Sequence, residues 1–308
     1  MRILADLHHA DLYESLMLLA GRLGGELLRP KGFEWQDRNI WGPNEPKPVA
    51  AQWLHNSHYP GLTLAECLDN PPDMVIISNI SNFRGFKKFF SKNFPAVPVV
   101  LQVGNTWGHW QPEFEGAEYV LNSTATAWPN AKAHARYHPE FKFERVAVPD
   151  PRKVLGLLHF PDNAYLKRFD DLEKALPSWE FKMHGAGSRD LAVTLDEVQP
   201  LHGWAGFLYQ LKNIDDGHGF NLHRAWAMGN PCALNYSMYL SRHACLNVID
   251  GVTAFDCERP LEQVVRFLEE AAADYDRRSD EVARIWDINC NPEREWTETL
   301  QPFFERII

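Results

Sequence analysis

The apolar positions fall into short runs separated by segments of helical spacing. Six runs bounded by turn residues read as buried strands of a parallel sheet: Met1–Asp6, "GELLRP" at 25–30, Pro72–Asn79, Pro95–Asn105, Gly116–Ser123 and Phe143–Pro151. After the first, "HHADLYESLMLLAGRLG" carries apolar residues at helical spacing and ends at Gly24. Lys31–Tyr59, rich in Trp and Pro, interrupts the pattern. Beyond Pro149–Pro151 it restarts with "KVLGLLHF", a helix over Tyr165–Leu176 and "PSWEFKMHGAG". "GFLYQLKN", "PCALNYS", "HACLNVIDGVTAF" and a helix over Leu261–Asp280 follow. The aromatic tail Trp286–Ile308, set off by "NCNPE", predicts one more helix. Strands alternating with helix-length segments predict an α/β chain of two Rossmann-like, doubly wound domains, 1–149 and 150–285, followed by a tail at 286–308. Two such domains facing a cleft favour a ligand at the carboxyl ends of the strands.

Composition narrows the function classes. A length of 308 residues with 45% hydrophobic side chains is enough for two cores. The net charge of −10 excludes nucleic-acid binding by bulk charge alone and leaves room for a local basic patch. Five cysteines without CxxC spacing read as reduced thiols, with no disulfide framework or zinc site. The first residues lack a basic flank followed by a long apolar run, and no apolar stretch reaches the roughly 18 residues of a membrane span. The expectation is a cytoplasmic protein.

The chemistry concentrates in "DDGHGFNLHRAWAMGNP" at 215–231. A helix N-terminus offers unpaired N–H groups and a positive dipole end, which suit a diphosphate. Gly217 and Gly219 allow close backbone approach and positive φ. Asp216 can accept hydrogen bonds from sugar hydroxyls, while Lys212 and Arg224 can neutralise phosphate charge. Gly229 ends the helix and Pro231 prevents its continuation. The plainer reading is an ordinary turn in which Asp216 caps the helix.

The run from "DDGHGFNLHRAWAMGNPCAL" to "VIDGVTAFD" resembles the donor-site signature of the GT-B glycosyltransferases, in particular their large retaining nucleotide-sugar group. Asp216 matches the first acidic position and Gly219 the turn glycine, "RAWAMGNP" matches "EAMAxGxP", and Asp250–Phe255 matches the last element. "PSWEFKMHGAG" resembles the strand and Gly-x-Gly before the nucleotide pocket, with Gly185 and Gly187. The resemblance implies a UDP-linked sugar donor held by Gly185, Gly187, Lys212, Asp216, Gly217, His218, Gly219, Phe220, Asn221 and Arg224. It also implies no cofactor, no essential metal, and a last helix crossing back to the first domain. The chain departs from the signature in three places. Arg224 stands where a carboxylate contacts the ribose, so it either takes over phosphate binding or marks a changed donor. The basic residues that follow the donor domain's first strand are missing from "GLLHFPDNAY", leaving Lys212, or Lys167 and Arg168, as substitutes. Gly104 or Asn105 stands at the position of the first domain's histidine. The opening "RILADLHHADL" is similar to a smaller group of phage and bacterial proteins associated with glycosylation.

In "LHHADL", His8 or His9 reads as a general base and Asp11 as its orienting partner, completing a catalytic set with Asp216. Alternatively one histidine is structural, and Asp11 caps the helix. "NTWGHW" brings Asn105 and Trp107 to the acceptor side, or is a packed loop. "FRGFKKFFSKNF" interleaves Arg84, Lys87 and Lys88 with phenylalanines. Phosphate contacts and stackable rings suit a nucleic-acid acceptor; an amphipathic helix with solvated lysines gives the same pattern. The acceptor read first is the hydroxyl of a hydroxymethylated pyrimidine in DNA, flipped into the site. A bacterial polysaccharide or small molecule, a non-catalytic nucleotide-sugar-binding module, and an epimerase of the same architecture are the competing readings.

Overall fold

The computed structural model describes residues 1–6, 10–32, 35, 60–78, 80–103, 116–123, 130–138, 145–157, 163–185, 195–212, 219–239 and 246–308. Backbone contacts divide the chain into two compact units, Met1–Phe141 with Pro292–Ile308, and Lys142–Asn291.

The first unit runs β1 (Arg2–Ala5), α1 (Ala10–Arg22), β2 (Glu26–Pro30), β3 (Gly61–Leu62), α2 (Leu64–Asp69) and β4 (Met74–Ile77). It continues with α3 (Ile80–Asn93), β5 (Val99–Val103), β6 (Tyr119–Asn122) and β7 (Ala133–Arg136). These strands form one parallel seven-stranded sheet in the order β3-β2-β1-β4-β5-β6-β7. Every residue of β4 and β5 is buried, as strands covered on both faces require. Helix α3 is the basic aromatic run. Phe83, Phe86 and Phe90 recur on one helical face and are fully buried, with Phe89 beside them, while Arg84, Lys88 and Lys92 are exposed. Trp35 stacks on Phe86 at 5.9 Å and donates its indole N–H to the Leu62 carbonyl at 2.8 Å.

The second unit runs β8 (Lys153–Leu157), α4 (Asn163–Ala175), β9 (Glu180–His184), α5 (Leu195–Trp204), β10 (Phe207–Gln210) and α6 (Phe220–Met228). It ends with β11 (Cys232–Leu234), α7 (Tyr236–Tyr239), β12 (Ala254–Asp256), α8 (Leu261–Ala273) and α9 (Tyr275–Cys290). Its five strands are parallel in the order β12-β11-β10-β8-β9. Cys67, Cys232, Cys257 and Cys290 are buried free thiols. No helix among the described residues is long and apolar enough to cross a membrane.

The tail rejoins the first unit through α10 (Pro292–Glu295), a π-helical turn (Trp296–Leu300) and α11 (Gln301–Ile307). The Gln301 N–H bonds the Trp296 carbonyl five residues back, and Pro302 beside it has no N–H to offer. Glu295 is buried, takes the His138 N–H at 2.9 Å and pairs with Arg136 at 3.4 Å, fastening the tail to the end of β7.

Three sequence expectations are corrected. The run Phe143–Pro151 forms no strand over its described part: residues 145–150 are mostly exposed, and Pro149 and Pro151 cannot donate to a ladder. The single helix over Leu261–Asp280 is two, broken at Asp274 (φ −129°, ψ 39°), so that buried Tyr275 donates to Asn230 Oδ1 at 2.9 Å. Trp286 lies inside α9 rather than opening the tail, and its indole N–H donates to His223 Nδ1 at 3.2 Å. Strand β7 went unread because "AHAR" pairs two buried alanines with polar neighbours, a weak strand signal.

Truncating Phe86 to Ala removes the ring on which Trp35 and Phe90 stack. The expected loss, read from urea unfolding, is about 3–5 kcal/mol. Arg84→Ala, at an exposed position of the same helix, is expected to stay within about 0.5 kcal/mol of wild type.

Candidate functional site

A parallel sheet opens a crevice where successive crossovers leave in opposite directions. In the second unit the chain passes from β8 to β9 on one side and to β10 on the other, so the switch lies between β8 and β10. The carboxyl end of β10 leads through Leu211 to Lys212. There the main chain is held tightly. The Lys212 N–H donates to Asn235 Oδ1 at 3.1 Å, and its carbonyl accepts from Asn235 Nδ2 at 2.9 Å and from the Tyr165 hydroxyl at 3.0 Å.

Helix α6 begins after Gly219, whose φ of 74° is left-handed and which provides no side-chain cap. Phe220 and Asn221 follow, half-buried, and Arg224 lies one turn in, nearly buried, its guanidinium 6.0 Å from the Phe220 ring. Gly229 closes the helix at φ 86°, its N–H reaching the Ala225 and Trp226 carbonyls. A Cβ there would sit 2.3 Å from Ser279 Oγ and 2.6 Å from the Ser279 carbonyl, so glycine is required on two counts.

The residues just after β11 brace the neighbouring strand ends. Asn235 holds Lys212, Tyr236 donates to Asp250 at 2.9 Å, Ser237 to Glu258 at 3.0 Å, and the Tyr239 hydroxyl accepts from Gln210 at 3.0 Å. Arg259 completes the brace by pairing with Asp250 at 2.7 Å. Sequence reading took "PCALNYS" only as an apolar segment. The signal in it is Asn235, an amide placed where a buried run meets a strand end.

The first unit has its own switch, between β1 and β4. Asp6, directly after β1, is buried and accepts from the Ser78 N–H and hydroxyl, both at 2.8 Å, and from Asn82 Nδ2 at 3.1 Å.

With this geometry in place, comparison with solved structures is informative. HepE of Anabaena in complex with UDP-glucose superposes with a TM-score of 0.61 at 10% identity, over 100% of this chain and 98% of that one. Sucrose-phosphate synthase from Thermosynechococcus elongatus gives 0.61 at 11% identity, over 100% and 99%. The lipopolysaccharide outer core galactosyltransferase WaaB gives 0.58 at 13%, over 96% and 99%. The chain has the GT-B fold. No protein-family model and no curated protein sequence matches it.

Within this GT-B fold, the donor candidates Lys212, Gly219, Phe220, Asn221 and Arg224 lie at the end of β10 and the start of α6, and Gly185 (φ 130°) directly follows β9. His8, His9, Asn105, Trp107, Gly187, Asp216, Gly217, His218 and the Asp11 side chain lie outside the described residues. The N-cap position of α6 is Gly219, and the plain reading of Asp216 as a cap falls outside the described residues. The Arg168 guanidinium donates to the Cys257 and Arg259 carbonyls, while Lys167 pairs with Asp171 one turn along α4. On the acceptor side, Lys87 donates to the Gly116 carbonyl and lies 3.9 Å from Glu118, and burial holds its pKa below the usual lysine value. Arg84 and Lys88 are exposed on the same helix, but its phenylalanine rings face the core and are closed to stacking with a base.

His202, on α5, is fully buried, and both its ring nitrogens lack hydrogen-bond partners among the described residues. Burial, assisted by the positive charge of Arg224, pushes its pKa down to about 3. A depressed histidine favours the neutral folded form, so the stabilisation is complete above the unfolded value of about 6.5 and is lost as pH falls towards 3. Between those limits the protein is expected to lose on the order of 1 kcal/mol per pH unit through this residue. Urea titrations from pH 7 to 4 should show a shallower decline in His202→Gln than in wild type; equal slopes would exclude the residue.

Proposed function

We propose that the protein is a glycosyltransferase that moves a sugar from a UDP-linked donor to a hydroxyl acceptor. One observation carries the reading: Lys212 and the start of α6, with Gly219, Phe220, Asn221 and Arg224, follow β10, a strand that borders the switch point of the five-stranded sheet, where α/β folds bind nucleotides. The names of its structural neighbours support it, HepE having been solved with UDP-glucose and WaaB being a galactosyltransferase.

In this reading the acceptor oxygen attacks the anomeric carbon, the bond from that carbon to the diphosphate oxygen breaks, and UDP leaves with the bonding electrons. Lys212, Arg224 and the N–H groups at the start of α6 offset the charge growing on the diphosphate. Asp216 holds the sugar hydroxyls. His8 or His9 takes the acceptor proton, oriented by Asp11. The acceptor favoured is a hydroxyl of a carbohydrate or small molecule over a base in DNA, because the phenylalanines of α3 are committed to the core.

The experiment is UDP release from UDP-glucose, UDP-galactose and UDP-N-acetylglucosamine, with saccharide acceptors and with hydroxymethylated DNA. UDP release dependent on a saccharide is expected, and Asp216→Ala should lower it by at least about 100-fold at an unchanged melting temperature. Release dependent on DNA alone would reverse the choice of acceptor. UDP binding without turnover on any acceptor would support a binding module, and conversion of the free UDP-sugar to an epimer would make the protein an epimerase.

A further inference from the structure

Asn235 is completely buried at the point where β11 ends. The ladder between β10 and β11 reaches its last pair at Gln210 and Leu234, after which the chain turns into α7 and has no further main-chain partner for β10. The Asn235 carboxamide supplies one. Its oxygen accepts from the Lys212 N–H and its nitrogen donates to the Lys212 carbonyl, at 3.1 and 2.9 Å, so a side-chain amide stands in for the missing strand residue. The Tyr165 hydroxyl, reaching over from α4, donates to the same carbonyl at 3.0 Å. Both hydrogen-bonding groups of the Lys212 main chain are therefore occupied two residues past the end of the strand. An apolar residue at 235 would take away the acceptor of the Lys212 N–H, at a cost of about 1–3 kcal/mol, and leave the carbonyl to the Tyr165 hydroxyl.

We propose that Asn235, seconded by Tyr165, is a positioning residue that sets the Lys212 ammonium for the diphosphate of the donor. The inference rests on the donor reading given above. Neither side chain needs to touch the donor: both act through the main chain of Lys212, which prolongs the sheet towards the switch point and limits the directions open to its side chain.

The test is a double-mutant cycle on UDP affinity, measured by calorimetry at fixed salt with melting temperatures alongside. Lys212→Ala is expected to weaken UDP by about 10–100-fold, the range for a charged hydrogen bond. Asn235→Ala should weaken UDP by about fivefold or more in the wild-type background and by less than about twofold once Lys212 is Ala, because the two residues form one pathway. Equal losses in both backgrounds would overturn the positioning role and leave the donor reading standing. Wild-type affinity in Lys212→Ala would overturn both. Tyr165→Phe, which removes one hydroxyl, tests the same coupling in a milder variant should Asn235→Ala fail to fold. Its effect must likewise vanish in the Lys212→Ala background, and persistence there would count against the proposal.

Discussion

Parallel strand pairing is the constraint on which the rest of this molecule depends. Each strand of both sheets pairs parallel to its neighbours, so each connection must return across a face and the carboxyl ends gather along one edge of each sheet. The strand orders then put a change of direction between β1 and β4 in one unit and between β8 and β10 in the other. At both places a main chain emerges from a buried strand with hydrogen-bonding groups that the next element cannot serve.

The molecule answers the same problem with two different side chains. In the first unit the Asp6 carboxylate collects the Ser78 and Asn82 donors, tying the end of β1 to the start of α3. In the second unit Asn235 pairs with both main-chain groups of Lys212. A carboxylate only accepts, while an amide also donates, and that difference matches what each strand end presents. Buried polar groups of this kind are stabilising only when satisfied, which ties the geometry of each strand end to a single side chain.

The same economy explains why charge alone misleads in this chain. The basic aromatic helix α3 carries the residue types of a nucleic-acid surface, yet its rings fill the core under β4 and β5 and its lysines are solvated or paired. Arg168, a cation on α4, likewise donates to the carbonyls after β12.

The sequence by itself determined the two Rossmann-like halves and the helix stop at Gly229. Apolar periodicity and glycine placement are local signals that survive without knowledge of any partner. It misread Phe143–Pro151 as a strand and ran two helices together at Asp274, because exposure and the burial of Tyr275 depend on neighbours far along the chain. It also passed over Asn235 and Tyr165. Their partner is a main-chain amide in a different crossover, 23 residues from Asn235 and 47 from Tyr165, and no local pattern encodes such a pairing. Only the tertiary structure, by stacking β11 against β10 and laying α4 beside them, decided which polar side chains meet the main chain of Lys212.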